Sequence, residues 1–492
     1  MQVKKIASLC AVAFAAMSGQ ANAAMSAAEQ TIVNDAVTNG RVIFISGASA
    51  TQKGFTGIIA KMFTGTPIRF ANTTADSKDF EAVAGVLGAD AGAWSGKNVI
   101  VIDRVKGGSV FGVDPVARNQ KIESLKVTSA SCGGSGAGTS SSPYVCDVTL
   151  EANGEFMAPD AGISDVAPAL FVGPINTEGE IPAGTLTEAE LGELTATPIY
   201  SLAFGVPVTS NVGASVSFNK ALVSAIMAGN IGTWDQVDPS ESGDMIVCRR
   251  VPGSGTQAVD NLYFGNFPCG GENANTPADR TSSLAAVWNN AANTYTVNGA
   301  TGGVVVIENS TSGDVRNCLN KAVEAKTALP VGSYTTYGTK DRSGAAVTVS
   351  FKNGVDHKAV GVLSMDSLKD SKTTGKWQFR SLNGAGTYTW DNTANEPVAT
   401  GTGIFPTLAN LIDGTWDLQG WISFNIPSRT TGDKADAINK FLVSAQDPAI
   451  LGSITDLKKV AAAIPGGEYS GAQVMRAQYL GNSQCAPLNR NY

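Results

Sequence analysis

The sequence predicts an α/β protein, and two observations carry the prediction. The first is a recurring unit: a short β-rich run ends in a turn of small residues and continues as helix or loop. The second is composition. The 492 residues include 55 glycines and only 16% charged residues, which fits a chain with many turns and enough apolar sequence for two cored domains. In open α/β sheets ligands bind beyond the carboxyl ends of the strands, so the turns closing those runs are where a site is expected.

The chain opens with a short basic patch, Met1 to Lys5, an apolar run from Ile6 to Met17, and Ala21-Asn22-Ala23. This is the pattern of a signal peptide over residues 1–23 with an Ala-x-Ala cleavage site, and the mature chain is expected to begin near Ala24. The apolar run is too short to span a bilayer. Cys10 follows Leu9, where a lipoprotein signal has a small residue, which argues against lipid anchoring. The expected location is therefore periplasmic or secreted. Six further cysteines remain, Cys132, Cys146, Cys248, Cys269, Cys318 and Cys485, an even number that reads as disulfides in an oxidising compartment. Cys132 and Cys146 flank a Gly/Ser-rich stretch and close one local loop. Cys248 and Cys269 bracket an arginine-bearing turn and are candidates to clamp it, with Cys318 and Cys485 left over; sequence alone does not fix the connectivity.

The units follow in order. Arg41 to Ser46 reads as a buried strand running into Gly47-Ala48-Ser49-Ala50-Thr51 and a helix over Phe55 to Phe63. Asn98 to Asp103 is a second strand, ending at Arg104-Val105-Lys106-Gly107-Gly108-Ser109. Glu155 to Pro159 leads into Asp160-Ala161-Gly162-Ile163-Ser164-Asp165. Pro198 to Val208 is a strongly apolar strand, and Leu222, Val223, Ile226 and Met227 line one side of a helix stopped at Gly229. Residues 266–303 and 371–402 are polar and read as surface insertions. His357 falls in a polar turn and reads as solvated. Trp421 to Ile426 alternates like a strand, and Ala435 to Val443 has helical spacing.

The most informative stretch is Ile246 to Thr256. An apolar strand carries Arg249 and Arg250, turns through Gly253-Ser254-Gly255, and enters a helix at Thr256. Ser254 or Thr256 can cap that helix, leaving its N–H groups and positive dipole end facing outward. A guanidinium beside a helix start is a seat for a tetrahedral anion. Asp165 reads either as a helix cap in its turn or as part of that seat.

The order of these motifs resembles that of the phosphate-binding proteins of bacterial phosphate ABC importers, in the type 2 periplasmic binding protein superfamily. The resemblance rests on Gly47 to Thr51, on Asp160 to Pro168, on Ile226-Met227-Ala228-Gly229-Asn230-Ile231-Gly232-Thr233-Trp234, on Arg249 to Thr256, and on Ala359-Val360-Gly361-Val362. It implies two α/β lobes with two crossovers, lobe one from residues 24–197 and 357–492, lobe two from 198–356. It implies inorganic phosphate as the ligand in the cleft between them and the importer's membrane permease as second partner. By position, Thr51 gives hydroxyl and backbone contacts and Gln52 a backbone N–H. Arg250 is the bidentate guanidinium, and Ser254, Gly255 and Thr256 supply hydroxyls and N–H groups. Ser109 is the candidate in the second loop, and Asp165 accepts a hydrogen bond from the proton that phosphate keeps and sulfate lacks. The chain departs from the family in having Gln52 for an aromatic residue, Pro252 for an Asp, and a Ser-poor second loop at Lys106-Gly107-Gly108-Ser109.

Other functions fit less well. A formal net charge of −7 with no basic stripe argues against nucleic acid. No nucleophile–base pair, metal cluster or cofactor motif stands out, so the chain does not read as an enzyme. The expected form is a monomer without cofactor or metal. The alternative is a secreted protein of the same fold that has lost phosphate transport and acts as an interaction or surface protein.

Overall fold

A computed structural model describes residues 25–74, 78–133, 135–177, 184–464 and 472–490; the expected signal peptide lies outside the described residues. No helix among them is long and apolar enough to cross a membrane. The framework is one hydrogen-bonded sheet. From edge to edge its order is Val305–Asn309, Ile246–Arg250, Ala359–Gly361, Leu194–Thr209, Gln419–Pro427, Ala161–Ser164, Val42–Gly47, Asn98–Arg104, Phe80–Leu87, Phe63–Ala71 and Tyr144–Val145.

Two groups of parallel strands stand out. Val42–Gly47 runs parallel to Asn98–Arg104 on one side and to Ala161–Ser164 on the other. Ile246–Arg250 likewise runs parallel to Val305–Asn309 and Ala359–Gly361. These strands are apolar almost throughout because both faces are covered. Phe44, Val99, Val101, Ile163, Val247 and Ile307 are at most 1% exposed.

The long strand Leu194–Thr209 joins the two groups. Residues 194–203 pair with Gln419–Pro427, while residues 204–209 pair with Val360, Leu363 and the strand Trp377–Arg380. The helices predicted after the first strand, before the arginine strand and near the C-terminus are found as Gln52–Lys61, Lys220–Met227 and Gly432–Gln446. The segment Glu155 to Pro159 is not a strand; pairing begins two residues later, at Ala161–Ser164.

Three expectations are corrected. Residues 371–402 are not a surface insertion. Trp377–Arg380 pairs with the long strand and Gly386–Asp391 pairs with it in turn, so the segment extends the main sheet as a meander. Trp377, Phe379, Tyr388 and Trp390 are buried beneath it. Residues 266–303 supply Trp288–Asn289 and Thr294–Val297 to a second, four-stranded sheet with Tyr334–Lys340 and Ala346–Lys352, and Trp288 and Tyr295 stack at 4.4 Å. His357 is 2% exposed rather than solvated. Its Nε2 lies 3.0 Å from the Lys352 carbonyl and its ring 5.3 Å from Phe351, and burial lowers its pKa.

The cysteines form three disulfides. Cys132–Cys146 closes the local loop as expected. The other two differ from the sequence-order pairing: Cys248 joins Cys318, and Cys269 joins Cys485. Cys248 sits in the arginine strand and Cys318 on the helix Ser312–Thr327 that packs on it, both fully buried. That leaves Cys269, at the end of the next helix, to reach the C-terminal segment.

Candidate functional site

The loops leaving the carboxyl ends of the two parallel groups meet. Val110 N–H, from the loop after Asn98–Arg104, donates to the Gly253 carbonyl of the arginine turn at 2.9 Å. Ser364, beyond Ala359–Gly361, places Oγ 3.5 Å from the Ala50 carbonyl of the first loop.

At the centre is the helix Gly255–Gly265. A Cβ at Gly255 would fall 2.1 Å from Ser109 Oγ and 2.5 Å from Asp165 Oδ2. Only glycine lets a serine hydroxyl and a carboxyl sit directly on this helix start. Asp165 N–H donates to Ser109 Oγ at 3.1 Å, which ties the two loops. Gly108 is equally constrained: at φ +86° it brings the chain within 3.0 Å, measured from an added Cβ, of Ser254 Cα.

Ser254 occupies the cap position but makes no side-chain cap bond, and the helix start is buried rather than facing outward. The reason is this contact: the facing loops cover it. Ser254 and Thr256 are each 1% exposed, as is Asp165. Ser254 Oγ, Thr256 Oγ1 and Asp165 Oδ1 have no hydrogen-bond partner among the described residues. Buried oxygens of this kind cost free energy unless they are satisfied.

Arg250 is held rigidly. Its Nε donates to the Asn309 carbonyl at 3.3 Å, Nη1 to Ser312 Oγ at 3.1 Å, and Nη2 to the Ser310 carbonyl at 2.6 Å. Its backbone N–H donates to Gln257 Oε1 at 3.2 Å, from the first turn of the helix it faces. The neighbouring Arg249 turns elsewhere, donating to the Ala278 and Arg250 carbonyls. Alternation along a strand sends adjacent side chains to opposite faces, so Arg250 meets the Ser310–Ser312 turn and Arg249 meets Ala278.

Asp165 is pushed up to about 7. Burial is the main cause; the Arg250 charge opposes it, the Asp366 carboxyl adds to it, and the nearby Thr256 hydroxyl eases it without a full hydrogen bond. Asp103, at the end of its strand, is 0% exposed with neither oxygen partnered among the described residues. Burial first, and Glu81 across the strand pair second, hold it far above the usual carboxylate range. Tyr200, on the long strand, feels the fields of Asp165, Asp366 and Asp103 after its own burial. The arrangement thus combines one fixed cation, a helix N-terminus, several hydroxyls and carboxyls poised to hold or accept protons.

Of the expected residues, Ser109, Asp165, Ser254, Gly255 and Thr256 are together, with Arg250 exerting its charge on Asp165. Thr51 and Gln52 lie where the first loop enters its helix; their side chains lie outside the described residues. Sequence reasoning missed Asp366 and the Ser310–Ser312 turn. Asp366 accepts from Ser364 Oγ at 2.6 Å. The turn Ser310-Thr311-Ser312-Gly313-Asp314 follows strand Val305–Asn309 and opens a helix with Thr311 as cap. It carries the strand–small-residue–helix signature that marked the other loops.

No family model matches the chain, and no curated protein matches it. Similar solved structures include a putative phosphate ABC transporter substrate-binding protein with bound phosphate from Clostridium perfringens. It is 10% identical, with 85% of this chain and 98% of that chain covered and a TM-score of 0.39. An ABC-type phosphate transport receptor from Vibrio cholerae is 13% identical over 63% of this chain and 81% of its own, with a TM-score of 0.32. A human phosphate binding apolipoprotein is 13% identical over 85% and 90%, with a TM-score of 0.40.

Proposed function

We propose that this chain is an extracytoplasmic solute-binding protein that captures inorganic phosphate between its two strand groups and delivers it to the permease of an ABC importer. One observation carries the reading: Asp165, Ser109 and the Gly255 helix start converge beside Arg250, with three buried oxygens left unsatisfied by the described residues. An oxyanion accepts from the helix N–H groups and the hydroxyls, and is balanced by the guanidinium. Asp165 adds the selectivity. A carboxylate repels a fully ionised anion but accepts a hydrogen bond from one that keeps a proton, which favours phosphate over sulfate. Three disulfides agree with an oxidising compartment.

The two groups act as lobes. The return expected near residue 357 moves, because Ala359–Gly361 pairs with the arginine strand; we place the outward crossing inside the strand Leu194–Thr209 and the return in the segment before Gln419–Pro427, so the lobes turn about a shared strand and close on the ion. The test is calorimetric titration of phosphate-free mature protein with phosphate, sulfate and arsenate. Saturable phosphate binding without a sulfate response, and loss of that preference in Asp165→Asn, supports the proposal. Silence toward all three anions overturns it.

A further inference from the structure

The helix whose first turn holds the oxyanion cluster has a second face. Val259, Leu262 and Tyr263 on that face wall an open cavity of about 420 Å³, and the C-terminal segment walls the other side. The volume falls within the usual range for small-molecule sites, on the order of 300–1,000 Å³. The Cys269–Cys485 disulfide stands at its edge and fixes the C-terminal segment against the helix's own end.

The polar groups of this cavity lean toward donors. Lys220 lies on its rim with Nζ 3.8 Å above the Tyr263 ring, within the field of the Asp417 carboxylate. Arg490 is the second cation, steadied by the Gly414 carbonyl at 2.8 Å. Gln419 and Gln484 lie in the wall, 2% and 7% exposed, and neither amide nitrogen has a partner among the described residues. The Gln484 amide has a fixed orientation, since its Oε1 already accepts from Ala167 N–H at 2.6 Å. The one acid, Asp417, is engaged with the Tyr263 hydroxyl at 2.5 Å. Two cations and one hydrogen-bonded carboxylate line the cavity, and the two glutamine amide nitrogens are buried in its wall. Val259, Leu262, Pro487 and Leu488 give the cavity an apolar stretch, beside the polar Asn266 and Tyr479.

We propose that this cavity is a second binding site, for a small organic carboxylate with an apolar body. The carboxylate takes the Lys220 and Arg490 end, and the apolar part lies along Leu262 and Leu488. An inorganic ion is too small to use those walls. The site stands apart from the oxyanion cluster and does not depend on phosphate being the ligand there.

The test uses the disulfide-intact mature protein and two probes of one shape, phenylacetate and phenylacetamide, read by saturation-transfer NMR and calorimetry. Saturable phenylacetate binding is expected, with the neutral amide at least about tenfold weaker, since charge-assisted hydrogen bonds carry the difference. Lys220→Met sits on the surface and leaves the fold intact; it should weaken phenylacetate by about tenfold and leave oxyanion titrations unchanged. A filling variant, Leu262→Trp, should abolish the signal. Equal binding of the two probes, an unchanged Lys220→Met, or no saturable binding overturns the proposal.

Discussion

Replacing Asp165 by Asn keeps the shape of a buried side chain while removing its titration. The folded-state carboxyl is pushed from 3.8 to about 7, chiefly by burial. At about 1.4 kcal/mol per unit, that displacement corresponds to roughly 4 kcal/mol. The sign follows from proton binding. The folded state holds this proton more tightly than the unfolded chain, so the group's contribution is fully present below its unfolded value and is lost as pH rises through about 7. Wild type should therefore lose stability relative to Asp165→Asn by roughly 4 kcal/mol between about pH 4 and pH 8. The assay is urea unfolding of both proteins in phosphate-free buffer at several pH values, disulfides intact, followed by tryptophan fluorescence. A stability difference constant across that range would refute the argument, because it would mean that the carboxyl is not held protonated by its surroundings.

Gly255→Ala should destabilise by about 1–3 kcal/mol through overpacking against Ser109 and Asp165, although alanine is the better helix former; thermal unfolding reads it directly. Arg250→Met removes a buried cation bonded to Asn309, Ser310 and Ser312 and should cost about 3–5 kcal/mol, with oxyanion binding lost in calorimetry. Cys269→Ser with Cys485→Ser opens a 216-residue loop; chain entropy puts the loss near 5 kcal/mol, measurable as a lower urea midpoint. His357→Leu should be least harmful at acid pH, because a buried imidazole with a lowered pKa costs stability once the unfolded chain takes up its proton.

Local chemistry was readable in the sequence and remote pairing was not. The arginine turn could be recognised because strand, glycines, hydroxyls and helix lie within a dozen consecutive residues. Asp366 was invisible for the opposite reason: it reaches the cluster only because its strand pairs with the arginine strand and its loop packs on Ala50. The meander was misread for a different reason. In Gly386–Asp391 buried and partly exposed residues alternate strictly, so half its side chains are polar and the average looks like a loop. The period-two signal was present in Tyr388 and Trp390 and was outweighed by composition. His357 shows the same limit, since its burial is supplied by Phe351 and the neighbouring sheet rather than by its own turn.

The disulfide pattern sets a condition on how the protein is made. A chain emerging from its N-terminus presents Cys248 and Cys269 together well before Cys318 exists, and Cys485 arrives almost last. After the native Cys132–Cys146 bond, the next available is therefore Cys248–Cys269, which the finished molecule does not contain. Reaching the native pairing requires a thiolate to attack and reshuffle that early bond. A host that oxidises cysteines but cannot isomerise them should accumulate the early species. In it Cys318 and Cys485 are left to pair with each other, so mass mapping of disulfide-linked peptides would find Cys248–Cys269 and Cys318–Cys485 in place of the native bonds.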